Sequence, residues 1–291
     1  MSSSGAPSAE RIIQIKESLR QEWTEGAQAW RTWNAKLGVL SRSATDTIVQ
    51  AAQTRPGMQI LDLASGTGEP ALSLAEAVGA DGQVTATDLV PEMLAVADEE
   101  AERRGLRNVT FKQADPEALR FTDASFDRVT CRFGVMFFPD IDKAFHEIHR
   151  VLKPGGRTAL ISWGPLPKNP YFAATMGVLM KHVQIPPPEP GAPSIFRFAQ
   201  TEALSDALSR AGFRDVQAEE RSIPWPWPGP AEEALQSAQE LAAPGLRRIR
   251  DALPPEGRAQ VHDEMLEAMR SHADGDRVNF TATVVLATGE R

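Results

Sequence analysis

Gln59-Ile60-Leu61-Asp62-Leu63-Ala64-Ser65-Gly66-Thr67-Gly68-Glu69-Pro70-Ala71 is the stretch whose reading decides the fold. An apolar run that ends in Asp62-Leu63 reads as a buried parallel strand, since both of its faces accept apolar side chains. Ser65 to Gly68 forces a tight turn, with glycines that leave no Cβ between the main chain and a ligand. Glu69-Pro70-Ala71-Leu72 opens a helix, with proline where its missing N–H matters least. A strand, a glycine turn and a helix N-terminus together predict a nucleotide-type pocket at the carboxyl edge of a sheet.

Strand and helix signals alternate for a hundred residues beyond that turn. Strands are predicted over 83–88, 109–113, 126–132 and 157–163, and helices over 91–104 and 141–152. Gly105 stops the first of these helices, and Pro154-Gly155-Gly156 stops the second. Such alternation with short connections implies an α/β fold: a Rossmann-like, doubly wound, mostly parallel sheet of seven strands. Further strands are expected over 213–223 and 278–287. Helices are expected over 171–183, 201–211 and, in pieces broken at Pro244 and Pro254-Pro255, over 231–272. The prolines at 186–193 read as a stiff loop, and Pro224-Trp225-Pro226-Trp227-Pro228 as a stiff connector.

This gives a small, polar tail over 1–9 that reads as mobile, a helical arm over 10–50 and a core over 51–163. A helical and proline-rich lid insertion follows over 164–200, and the sheet is completed, with a helical insertion, over 201–291. Trp30 and Trp33 lie three apart on the arm and share a helix face. They read either as anchors of the arm or as a cover over a ligand.

The chain has 291 residues, a net charge of −8 and a single cysteine, Cys131. The acidic balance argues against nucleic-acid or anionic-membrane partners. One cysteine excludes an intrachain disulfide and a cysteine-based metal cluster. No apolar run follows a basic start, and no stretch is long enough to span a membrane. The expectation is a soluble, cytoplasmic protein with no metal, with a homodimer left open.

Acidic residues follow the turn in a regular order. Asp62 can orient the loop or accept from a ligand amine. Asp88 lies 20 residues after Gly68, where a strand-end carboxylate can accept both hydroxyls of a ribose. Asp115 follows the third strand, within reach of a base's exocyclic amine. Gly66-x-Gly68-x-x-Ala71 also satisfies the dinucleotide fingerprint, so an NAD-dependent oxidoreductase competes.

The surrounding residues separate these readings. Leu61-Asp62-Leu63-Ala64-Ser65-Gly66-Thr67-Gly68 resembles motif I of the class I S-adenosylmethionine (SAM) methyltransferases. Thr87-Asp88 resembles their ribose-binding acid, and Gln113-Ala114-Asp115 their adenine-side motif. Phe126 to Phe133 resembles their fourth-strand motif, and Val151-Leu152-Lys153-Pro154-Gly155-Gly156 their lead into strand five. Within the class the chain most resembles the ubiquinone/menaquinone C-methyltransferases and their small-molecule relatives. The resemblance implies SAM as cofactor and S-adenosylhomocysteine (SAH) as product. It would place Asp62, Ala64, Gly66, Thr67 and Gly68 at the methionine portion and turn, and Asp88 and Leu89 at the ribose. Ala114 and Asp115 would meet the adenine, with Met93 also at the cofactor. Arg132 would lie near the methionine carboxylate or the methyl group, or else form a structural ion pair. Glu69 departs from the Asp common in the quinone group.

The sulfonium of such a cofactor is already activated, so the chain's task is to align an acceptor and exclude water. A base is needed only where the acceptor must lose a proton, and His182 is the candidate, its bland alternative being a surface histidine at a helix end. His146-Glu147-Ile148-His149 lacks the spacing of a zinc-protease helix. Phe133, Met136, Trp163, Tyr171, Phe172 and Phe196, with Trp30 and Trp33, are expected to form an apolar or aromatic acceptor pocket. The function implied is methyl transfer to a small, fairly apolar molecule; the rival is a SAM-binding protein without catalysis.

Overall fold

A computed structural model describes residues 8–186, 188–189 and 191–291. Most of the expected tail over 1–9, and Pro187 and Pro190 of the proline-rich run, lie outside the described residues. The chain opens with α1 (Ala9–Leu40) and α2 (Arg42–Ala51). It alternates through β1 (Gln59–Leu63), α3 (Ala71–Val78), β2 (Gln83–Asp88), α4 (Pro91–Arg104) and β3 (Val109–Gln113). β4 (Phe126–Arg132), α5 (Ile141–Val151) and β5 (Leu152–Trp163) complete the alternating part. The insertion holds α6 (Pro170–Phe172) and α7 (Val178–His182), joined by a π-helical turn at Ala173–Gly177. α8 (Thr201–Arg210), β6 (Arg214–Trp227), α9 (Ala231–Leu241), α10 (Pro244–Asp251), α11 (Pro255–Arg270), β7 (Ala273–Asp274) and β8 (Arg277–Glu290) follow.

Local chemistry explains the boundaries. Pro91 starts α4, and Gly105 ends it in the left-handed conformation with its N–H on the carbonyls of Ala101 and Glu102. Asp140 caps α5 by accepting from the backbone N–H of Lys143 at 3.0 Å. Ile60, Leu61 and Leu63 are fully buried, as a strand covered on both faces demands.

The sheet runs β3-β2-β1-β4-β5-β8-β6, with the two-residue β7 paired only to β8. β3 to β5 pair in parallel, and β8 is antiparallel to both β5 and β6. The strand order reverses between β1 and β4, which opens a crevice at their carboxyl ends.

Two expectations need correction. Pro224 to Trp227 is strand rather than connector: β6 runs through Trp227, pairing Pro224 with Thr281 and Pro226 with Asn279 of β8. β6 is an edge strand, and edge N–H groups alternate between partner and open side, so prolines two apart can both spare the ladder. The intervening Ile223, Trp225 and Trp227 are buried. β5 likewise begins at Leu152, ahead of the expected Arg157. Pro154-Gly155-Gly156 sits in a register shift, and regular pairing to β4 resumes at Arg157.

The arm is fastened at both ends. Trp33 is buried against Trp227, with ring centroids 5.5 Å apart, and its Nε1 donates to Glu240 at 2.7 Å. Lys36 pairs with Glu233, which also accepts from Trp227 Nε1. Nearer the start, Lys16 pairs with Asp115 at 2.6 Å and Glu117 at 2.5 Å. These contacts lay α1 across the carboxyl ends of the strands.

Candidate active site

The turn after β1 is built by reciprocal bonds to β2. Ser65 N–H donates to the Thr87 carbonyl, and Ser65 Oγ accepts from Thr87 N–H at 3.1 Å. Ala64 and Gly66 take left-handed backbone angles, φ 51 and 53. Gly68 stands at φ 120, where a Cβ would also meet Leu72 Cδ1 at 2.7 Å, so only glycine fits. Across the crevice, Gly134 after β4 approaches so closely that a Cβ would lie 2.4 Å from that of Ala64.

Asp88 anchors this turn at the end of β2. Its Oδ2 accepts from Gly66 N–H at 2.9 Å and its Oδ1 from Val90 N–H at 3.0 Å. Burial pushes its carboxyl up, opposed by those N–H groups. Asp88 lines the cavity beside it.

Asp62 lies deeper and is fully buried. Thr130 Oγ1 donates to its Oδ1 at 2.5 Å, while Oδ2 has no hydrogen-bond partner among the described residues. Burial pushes this carboxyl up to about 7, opposed by Thr130, Ser65 and the charge of Arg132. Arg132 Nη1 donates to Ser41 Oγ at 2.6 Å and Thr45 Oγ1 at 3.2 Å, and its buried Nε has no partner among the described residues. Burial lowers its pKa as well. Arg132, with its orphaned guanidinium nitrogen, borders the crevice, while Asp62, with its orphaned carboxylate oxygen, lies behind it outside the cavity lining; together they suit a ligand with a carboxylate and an ammonium.

Two cavities meet here. The first is lined by Ala64, Gly66, Thr67, Asp88, Leu89, Met93 and Ala114 at the strand ends. The second spans about 1480 Å³ including its mouth, under α1, the insertion and α9 to α11. Trp23, Trp30, Thr67, Glu69, Arg132, Phe133 and Phe137 line both and form the shared wall. Phe133 holds φ 59, an uncommon angle for a bulky residue, fixed by its N–H on the Ile161 carbonyl at 2.8 Å. Its ring stacks on Trp163 at 4.1 Å, and Phe172 and Trp225 pack edge-on to Trp163.

Residues 39–186, about half of the chain, match the model of the ubiE/COQ5 methyltransferase family. A demethylmenaquinone methyltransferase of Chlorobaculum parvum is 33% identical over 235 residues, 74% of this chain and 93% of that protein. This chain belongs to the ubiE/COQ5 methyltransferase family. The demethylmenaquinone methyltransferase of Thermus thermophilus is 47% identical over 131 residues, 45% of this chain and 56% of that protein. The chain thus spans little more than half the length of the Thermus relative. The YcgJ protein of Bacillus subtilis has the same fold, with a TM-score of 0.54 at 21% identity over 85% of this chain and 97% of that one.

Within this ubiE/COQ5 chain, several expected site residues sit elsewhere. Gly68 shapes the turn and Asp62 lies beneath it, and neither lines these cavities. Asp115 turns to Lys16, and its Oδ1 accepts from Glu117 N–H at 2.9 Å, leaving Ala114 and Pro116 at the cavity wall. Met136 is core, fully buried. Trp33 anchors the arm, whereas Trp30 faces the cavities: at three residues apart they point about 60° off one another, enough to divide the two jobs. Phe196 reaches the cavity only through Phe172, ring to ring at 5.5 Å. His182 lines neither cavity. Its Nε2 meets Glu264 Oε2 at 2.9 Å, which makes it a link between α7 and α11. Ser41 and Thr45 also belong to the site, although their contacts with Arg132 span about ninety residues and leave no local trace in the sequence. So do Trp225, which the strand-like alternation of Ile223-x-Trp225-x-Trp227 could have marked, and Arg247 on α10.

Proposed function

We propose that this protein transfers a methyl group from SAM to a small acceptor with a fairly apolar, aromatic body of the quinone type. The observation that carries the reading is the pair of cavities sharing a wall, one edged by Asp88 and the glycine turn, the other aromatic. The names of the Thermus and Chlorobaculum relatives favour a quinone-type ring, and the Phe133–Trp163 stack suits a flat acceptor.

When bound, SAM supplies a methyl group on a sulfonium that needs no further activation. Asp62 and Arg132 would hold its amine and carboxylate, with Ala64, Gly66, Thr67 and Gly68 as the turn around them. Asp88 and Leu89 would hold the ribose, and Met93 and Ala114 would flank the adenine. Asp115 would act indirectly, fastening the arm over that end through Lys16. Phe133, Trp30, Trp163, Tyr171 and Phe172 would orient the acceptor. The core over 51–163 thus serves the donor, while the arm over 10–50, the insertion over 164–200 and the helices within 201–291 close the acceptor side and exclude water. The net charge of −8 suits work in the cytoplasm away from polyanions, alone or as a homodimer.

The test is incubation with SAM and a reduced naphthoquinone. A product heavier by one methylene, together with SAH, supports the proposal. Turnover of NAD with no binding of SAM would overturn it.

A further inference from the structure

Resting on the methyl-transfer reading, we infer that the acceptor carries an ionised acid group, a carboxylate on its aromatic body, that pairs with Arg247. The second cavity has more positive than negative groups in its wall. Its ionised residues are Arg132, Arg247, Arg250 and Glu69. Glu69 is paired with Arg104 at 2.8 Å, and Arg250 with Asp251 at 2.8 Å. Arg132 is bound by Ser41 and Thr45 and faces the donor cavity as well. Arg247 alone of these has no ion pair or side-chain hydrogen bond among the described residues, and its Nε is buried.

Arg247 is half-buried, and its buried Nε at the wall of an apolar cavity lacks an acceptor that a ligand could supply. Its planar fork matches a carboxylate with two parallel hydrogen bonds. A second donor supports the same ligand. Trp225 lines this cavity, and its buried Nε1 has no partner among the described residues. It can only donate. Two donors in want of an acceptor, one of them charged, select an anionic oxygen over a neutral hydrocarbon. The alternative is that Arg247 merely lays its stem on the apolar wall and keeps its charge in water.

Calorimetry with 2-naphthoate and its neutral counterpart 2-naphthamide, each with and without SAH, separates the two. The wild type should prefer the acid by about tenfold or more, the scale of a hydrogen bond to a charged group. Arg247→Gln should erase that preference and Arg247→Lys should keep part of it, with SAH affinity equal in all three. Failure of 2-naphthoate to bind, equal affinity for both probes, or a preference that survives in Arg247→Gln would overturn the inference. Absence of SAH binding would instead sink the methyl-transfer reading, while the two probes still decide this one.

Discussion

The two cavities share a wall but are built by different rules. The donor side is made from the ends of consecutive strands, where one turn sets Ala64, Gly66 and Thr67 and the next strand brings Asp88. Each of those positions is fixed by backbone geometry within a few residues. The acceptor side is assembled from α1, the insertion, β6 and α9 to α11, elements separated by up to about 230 residues. Its shape depends on how far apart elements dock, with aromatic side chains as the fasteners. The difference teaches that a cofactor pocket can be a property of a motif, whereas an acceptor pocket is a property of the whole packing.

Substitutions on each side should therefore fail differently. The largest effect is expected at Trp33, the fastener. Trp33→Ala should lower stability by about 3–5 kcal/mol, the scale for truncating a buried tryptophan, and denaturant unfolding measures it. A loss under about 1 kcal/mol would mean that the arm is held some other way.

The next effect concerns Asp62 and pH. Its folded carboxyl titrates near 7, against 3.8 for the unperturbed group. The folded protein thus binds more protons than the unfolded chain between these values, and this group's contribution to stability falls as pH rises from about 4 to about 7. A ligand ammonium favours the ionised form. SAM affinity should then rise as pH rises through 7, with release of a proton visible as a buffer-dependent heat below that pH. Asp62→Asn should flatten both dependences; a pH-independent affinity in the wild type breaks the assignment.

Trp30→Ala sharpens the comparison from the same helix. It should weaken SAH binding by about tenfold, or about 1.4 kcal/mol, at a stability loss well below that of Trp33→Ala. The smallest effect is at His182, whose partner is Glu264. His182→Ala should leave SAH affinity and turnover unchanged and lower stability only slightly, because its contact with Glu264 is partly exposed.

The same contrast explains what could be read without a structure. β2 to β4 and α4 follow their sequence signals to the residue, because hydrophobic period, Pro91 and Gly105 act locally. The place of Asp88 at a strand end beside the cavity was legible for the same reason. Trp225 was not, because two prolines disguise an edge strand as a connector. Met136 and Trp33 look like pocket aromatics or sulfur contacts in sequence, and only docking sends them to the core and the arm's anchor. Asp115 sits at the expected strand end, but Lys16, from a helix 99 positions earlier, takes its carboxylate. No spacing rule reports such a partner.

The central claim is that SAM binds at the strand ends through Asp88. Calorimetry of SAM and SAH with the wild type and Asp88→Ala tests it most directly. The account predicts binding of both to the wild type, weakened by about 1–3 kcal/mol in the variant, the scale for a charged hydrogen-bond site left unmade. Equal affinity in the two proteins would contradict it.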